Sequence, residues 1–132
     1  NIFNQNILNS DELHKFYEKG GHIYIRSIFI QGLLLMNINK IPTALNYLKK
    51  PIKGFYNIAK EMKIHPIVLC MQSIKYIYPK CKLIIGANNI SQLNEVLNKN
   101  NIVLHKSDAE YILNFGKKYE HKLWDPRNWK KY

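Results

Sequence analysis

Residues 22–36 read HIYIRSIFIQGLLLM, and how this stretch is divided decides the fold. Its first half has the apolar character of a buried strand, but Arg26, Ser27 and Gln31 interrupt the run. A buried strand does not carry a guanidinium unless that residue sits at the strand's end or something binds it. A strand over 22–27 puts Arg26 and Ser27 at its carboxyl end. There Arg26 serves either a carboxylate partner or a ligand.

Upstream, NIFNQN at residues 1–6 reads as a strand. Ser10 then caps a helix whose first turn carries Asp11 and Glu12, with Leu13, Phe16 and Tyr17 at helical spacing and Gly20-Gly21 as its stop. Downstream of Gly32, LLLMNINKIP is an apolar loop. Ile52, Phe55, Tyr56, Ala59 and Met62 then mark an amphipathic helix. A second helix begins at Pro66, a favoured first-turn residue, with Ile67, Cys70, Met71, Ile74 and Ile77 or Tyr78 facing inward; Pro79 ends it. CKLIIGA at 81–87 is a third strand. Asn89 and Gln92 have capping-box spacing for the next helix, in which Leu93, Val96 and Leu97 face inward. Ser107 and Glu110 carry the same signature for a final helix, and KLWDPRNWKKY is an irregular tail.

Three strands separated by helices imply parallel pairing, since parallel neighbours need a crossover. In open and closed parallel sheets alike, ligands sit beyond the carboxyl ends of the strands. That rule selects the loops after residues 5, 27 and 87.

The 132 residues suit one domain, 1–132, and 46% apolar with 22% charged residues is a globular balance. The formal charge of +11 raises nucleic-acid binding. The basic residues are spread out, however, with local density at Lys49, Lys50 and Lys53, and no basic motif is interleaved with aromatics, so a solvated surface is the better reading. Cys70 and Cys81 lack CxxC spacing and read as reduced core thiols. Phe55, Tyr56 and Met71 read as core, and Trp124 and Trp129 as covers of a hydrophobic edge or lining of a mouth. No apolar run approaches the ~20 residues of a membrane span and no signal pattern is visible. A cytoplasmic protein without a membrane partner is the expectation. The start at Asn1 in a strand-like NIF is what a portion of a longer protein would show.

RSIFIQGLLL at 26–35, followed by LIIGANNISQLNEVL at 83–97, resembles the last strands of the aldo/keto reductase family, and NIFNQ resembles the strand before them. The bacterial branch with an Arg-Ser-hydrophobic-Phe-Leu-Gln-Gly-Leu-Leu signature, linked to surface-polysaccharide or sugar metabolism, is particularly similar, and DPRNW suits it. The resemblance implies an α/β chain forming part of a (β/α)8 TIM barrel: its last three βα units plus a C-terminal helix and tail. A whole barrel needs about 250 residues.

It also implies a nicotinamide dinucleotide, NADP or NAD, laid across the carboxyl-end mouth. Arg26 matches the position lying against the nicotinamide, where a guanidinium can stack or reach oxygens. Ser27, Ile28, Phe29, Gln31 and Gly32 match the loop along the pyrophosphate. Gly86, Ala87, Asn88, Asn89, Gln92 and Glu95 match the segment holding the adenosine end against a helix N-terminus, with Glu95 accepting from the adenine amino group. Gly86 and Gln92 stand where NADP-preferring members carry Lys or Arg, and Val96 stands where Asn is usual, so NAD versus NADP stays open. The family's catalytic Asp, Tyr, Lys and His come from the barrel's first half, so no residue here is assigned catalysis, and none a metal. The chain alone is expected to be inert, with a small carbonyl substrate met only by the intact enzyme. The alternative from another class is a truncated, non-catalytic half-barrel acting as a binding or assembly module. Its unpaired edges at 1–4 and 82–87 would drive self-association.

Overall fold

Ser10 Oγ accepts from the backbone N–H of Leu13 at 3.2 Å and opens helix α1, Asp11–Glu18. The helix closes as a Schellman motif, in which Gly20 N–H donates to the Tyr17 carbonyl and Gly21 N–H to that of Phe16, both at 2.9 Å. Gly20 supplies the left-handed φ of +86° that this closure needs. Phe16 lies over Gly21, where any side chain would collide with its ring, and is half exposed instead of facing the core.

This fold is that of a computed structural model, which describes residues 1–129. Lys130, Lys131 and Tyr132 of the expected tail lie outside the described residues. After α1 the elements run β1 (Tyr24–Ile25), α2 (Lys49–Met62), α3 (Pro66–Ile77), β2 (Lys82–Leu83), α4 (Ile90–Lys99) and α5 (Lys106–Lys117), with short 3-10 turns between β1 and α2 and after α5. The chain is α/β, and β1 and β2 pair in parallel with Tyr24 opposite Lys82 and Ile25 opposite Leu83. The Lys82 ammonium sits 5.5 Å from the Tyr24 ring centre on the outer face of this pair.

Three expectations are corrected. Residues 1–5 form a turn, not a strand. The Asn1 Oδ1 accepts from the N–H groups of Phe3 and Asn4 at 3.1 and 2.9 Å, and a short polar side chain that captures backbone donors this way competes with sheet formation. The strands expected over 22–27 and 81–87 are paired only at two residues each, because Ser27 turns to φ +60° directly after Arg26 and no third strand extends the ladder among the described residues. The final helix starts at Lys106 with His105 at its cap and no side-chain capping bond; Glu110 instead accepts from the Tyr76 hydroxyl at 2.7 Å.

α3 is apolar on nearly every side and packs against α2, α4 and α5, which makes it the central helix. Ile67, Cys70, Met71, Ile74 and Tyr78 are buried as expected, and Tyr78 donates its hydroxyl to the Leu8 carbonyl at 2.7 Å. Cys70 and Cys81 are free and buried, and burial pushes the Cys70 thiol up to about 12. A thiol held that high is no nucleophile. Gly116 on α5 lets the Ile2 carbonyl approach so closely that a methyl there would overlap it. The N-terminal turn is thereby laid on α5, and Gln5 Nε2 ties it there by donating to the carbonyls of Ile2 and Leu113. Phe3 stacks face to face on Trp124, ring centres 3.8 Å apart, and meets Phe55, Phe115 and Tyr119 edge-on. Residues 33–42, expected as a loop, and 43–48 after them wind into three 3-10 turns that place Leu34, Leu45 and Leu48 in the core.

Candidate functional site

The parallel register decides what leaves the same end of the sheet. The Ile84 N–H donates to the Ile25 carbonyl at 2.8 Å, so the chain after Ile25 and the chain after Leu83 emerge side by side at the carboxyl edge. Residues 26–32 and 84–89 therefore start from one edge, where parallel sheets present ligand sites.

Residues 26–32 form a knot of turns. Ser27, Ile30, Gln31 and Gly32 all have positive φ, at +60°, +51°, +53° and +82°. Positive φ at Gln31 and Gly32, with Leu33 N–H donating to the Ile30 carbonyl at 3.0 Å, is the pattern of a type I′ turn. For β-branched Ile30 the left-handed region is strained by roughly 1–2 kcal/mol. The strain is held by the core: Ile28, Phe29 and Ile30 point inward and are at most 9% exposed, and Leu34 N–H closes back on the Phe29 carbonyl at 3.2 Å. Arg26, Ser27, Gln31 and Gly32 are left exposed. Among the described residues Arg26 makes no ion pair, and the N–H groups of Ser27, Ile28, Phe29, Gln31 and Gly32 make no backbone hydrogen bond. Phe29, expected to touch a cofactor, can offer only its backbone.

The second segment is built from local hydrogen bonds. Asn89 caps α4 by accepting from Gln92 N–H at 2.9 Å, and Gln92 Oε1 reaches back to accept from Asn88 N–H at 2.9 Å. The return bond thus lands one residue before the cap. Gly86, Ala87, Asn88, Asn89, Gln92 and Glu95 are all exposed. Val96 is buried, whereas Leu93 and Leu97, expected inward, are 41% and 57% exposed, because α4 rests on α3 along one narrow side. Glu95 lies 3.4 Å from His65 Nε2. His65 Nδ1 accepts from Ile67 N–H at 3.2 Å and caps α3, so its Nε2 carries the proton that points to Glu95. Burial and then Lys99 hold the His65 pKa below its ordinary value, against the pull of Glu95.

An unpaired guanidinium and the amides of a turn thus follow β1, and the segment leading to the N-terminus of α4 leaves β2 from the same sheet edge. Those are groups that take a diphosphate. The fit is looser at the adenosine end, where Glu95 already has His65 as a partner.

Two clefts lie elsewhere, and only Trp129, read as a cover of an edge or the lining of a mouth, pointed to one of them. One of about 340 Å3 lies between α2 and the start of α5, lined by Ile58, Glu61, Met62, Ser107, Asp108 and Tyr111. The other, of about 460 Å3, is lined by Tyr47, Lys122, Leu123, Asn128 and Trp129. Trp124 covers the core, while Trp129 walls this second cleft.

No protein-family model matches the chain, and it matches no curated protein and no solved structure. No helix among the described residues is long and apolar enough to cross a membrane.

Proposed function

We propose that this chain is the cofactor-gripping C-terminal part of an NAD(P)-dependent oxidoreductase resembling the aldo/keto reductases. It would supply the C-terminal part of a (β/α)8 barrel, with β1 and β2 among its strands, and act in the intact enzyme on the carbonyl or alcohol of a small molecule, a sugar derivative being the class the sequence resemblance favours. One observation carries the reading: β1 and β2 pair in parallel, so Arg26 and the Gly86–Asn89 segment leave one carboxyl edge. The dinucleotide, when bound, supplies the hydride chemistry. Arg26 would lie against the nicotinamide, the amides of the 26–32 turn along the diphosphate, and the start of α4 under the adenosine phosphate. Nothing in these roles moves a proton, and the chain alone is expected not to reduce carbonyls.

Titration with NADH and NADPH tests the grip. Arg26→Ala is expected to weaken binding about tenfold, a loss of one charged contact, while stability changes by less than about 0.5 kcal/mol because Arg26 is exposed and unpaired. Binding unchanged by Arg26→Ala, or no binding of either dinucleotide, refutes the assignment.

A second reading, an assembly module, has its own support in the exposed Ile84, Ile90, Leu93 and Leu97 that follow β2, whose outer edge pairs with no strand among the described residues. It requires association that rises with protein concentration in sedimentation, and a monomer throughout the micromolar range would end it.

A further inference from the structure

The tail segment 121–129, expected to be irregular, forms two short 3-10 turns and is well tied. Trp124 anchors it in the core by stacking on Phe3. Asp125 holds Arg127 through its side chain and also accepts from the Arg127 N–H at 3.0 Å. Asn128 Nδ2 donates to the Lys122 carbonyl at 3.0 Å, and Trp129 Nε1 donates to the Leu123 carbonyl at 2.9 Å. These bonds set the plane of the Trp129 indole before any ligand arrives. Loop residues fixed this way, away from the core they cover, commonly serve binding.

What the segment faces is Tyr47, across the cleft of about 460 Å3, a volume within the range of small-molecule sites. Tyr47, Leu123 and Trp129 present apolar surface; Tyr47 is 49% and Leu123 40% exposed. Lys122 is exposed and has no carboxylate partner among the described residues. With Nδ2 committed, Asn128 keeps its Oδ1 as an open acceptor. None of the lining residues is acidic; of the two carboxylates nearest in sequence, Asp125 is paired with Arg127, and Glu120 makes no ion pair with Lys122 among the described residues. Two aromatic walls take a ring face, a free ammonium takes an anion, and an amide oxygen takes a hydroxyl or amino proton.

We propose that this cleft binds a ring-bearing phosphate, with the ring against Trp129 and Tyr47, the phosphate on Lys122 Nζ and a ring donor on Asn128 Oδ1. It uses no residue of the β1–β2 edge and does not depend on the dinucleotide assignment. The ring can be a sugar or a base, which the choice of probe separates.

The test titrates the full chain with glucose 6-phosphate, AMP and inorganic phosphate, read by tryptophan fluorescence and calorimetry. Saturable binding of glucose 6-phosphate or AMP is expected, tighter than inorganic phosphate by about tenfold because the stacked ring contributes. The tighter of the two identifies the ring. Trp129→Leu and Lys122→Gln are each expected to weaken binding about tenfold with unchanged circular dichroism, and only Lys122→Gln should remove its salt dependence. Arg26→Ala should leave it unchanged, which keeps a failure here distinct from a failure at the sheet edge. Equal binding of inorganic phosphate, binding indifferent to both cleft variants, or no saturation overturns the proposal.

Discussion

Residues 26–32 and 86–95 leave the same edge of the same strand pair, yet different forces shape them. The first turn is bolted to the core by Ile28, Phe29 and Ile30, and that burial holds four positive φ values in six residues, 27–32. The second segment has no buried side chain before Val96 and takes its form from the Asn89 and Gln92 caps. A ligand meeting this edge would find one rigid wall and one wall whose order is local. Preorganisation is thus unevenly distributed, and affinity lost to ordering would be lost on the α4 side.

The largest effect that could break this contrast is in the turn itself. Ile30→Ala is expected to cost about 2–5 kcal/mol, as deletion of a fully buried aliphatic side chain does. Leu97→Ala, on the exposed side of α4, should change stability by less than about 0.5 kcal/mol. Urea denaturation of the two variants measures the gap, and equal losses would show that both segments draw on the core.

A smaller effect belongs to the cap. Asn89→Ala should cost about 1 kcal/mol and speed hydrogen exchange at the Gln92 amide, while the bonded amides of Ile30, Leu33 and Leu34 keep their protection. Loss of protection in both places would mean that the edge orders as one unit.

The smallest effect is a pH dependence where the α4 segment touches the rest of the molecule. His65 is neutral while its Nδ1 caps α3, and its pKa lies below the ordinary 6.5. A depressed histidine pKa means that the folded state takes up the proton less readily than the unfolded chain. Its contribution is therefore complete above 6.5 and is lost as pH falls through the lower folded value. Protection of the Ile67 amide should fall over that window in wild type. It should not fall in His65→Asn, whose amide caps at every pH. Identical profiles would remove His65 from the cap.

Much of this was legible because its causes are local. Ser10 and Gly20-Gly21 bound α1 and Asn89 caps α4 through bonds to residues within five positions, and Pro66 opens α3 through its fixed φ. That Arg26 stands at the carboxyl end of β1 also followed from pattern, whereas Gly86 was expected inside a strand that in fact ends at Leu83. Other features were not legible. Glu110 has the spacing of a capping residue but bonds Tyr76, 34 positions away. Leu93 and Leu97 have core spacing, yet nothing among the described residues covers them fully. Ile30 gives no sign that it will sit at positive φ, because that conformation is imposed by the packing around it.

The sequence by itself determined where α1, α3 and α4 start, how α1 and α3 stop and that Arg26 stands at the carboxyl end of β1, since capping, periodicity and glycine conformation act within a few residues. The tertiary structure alone decided that the N-terminal turn is laid on α5, that the strands stop after two residues, and that Tyr47 meets Trp129 across a cleft. Those outcomes depend on which distant groups compete for the same backbone donors and the same core space, and no short window of residues contains both competitors.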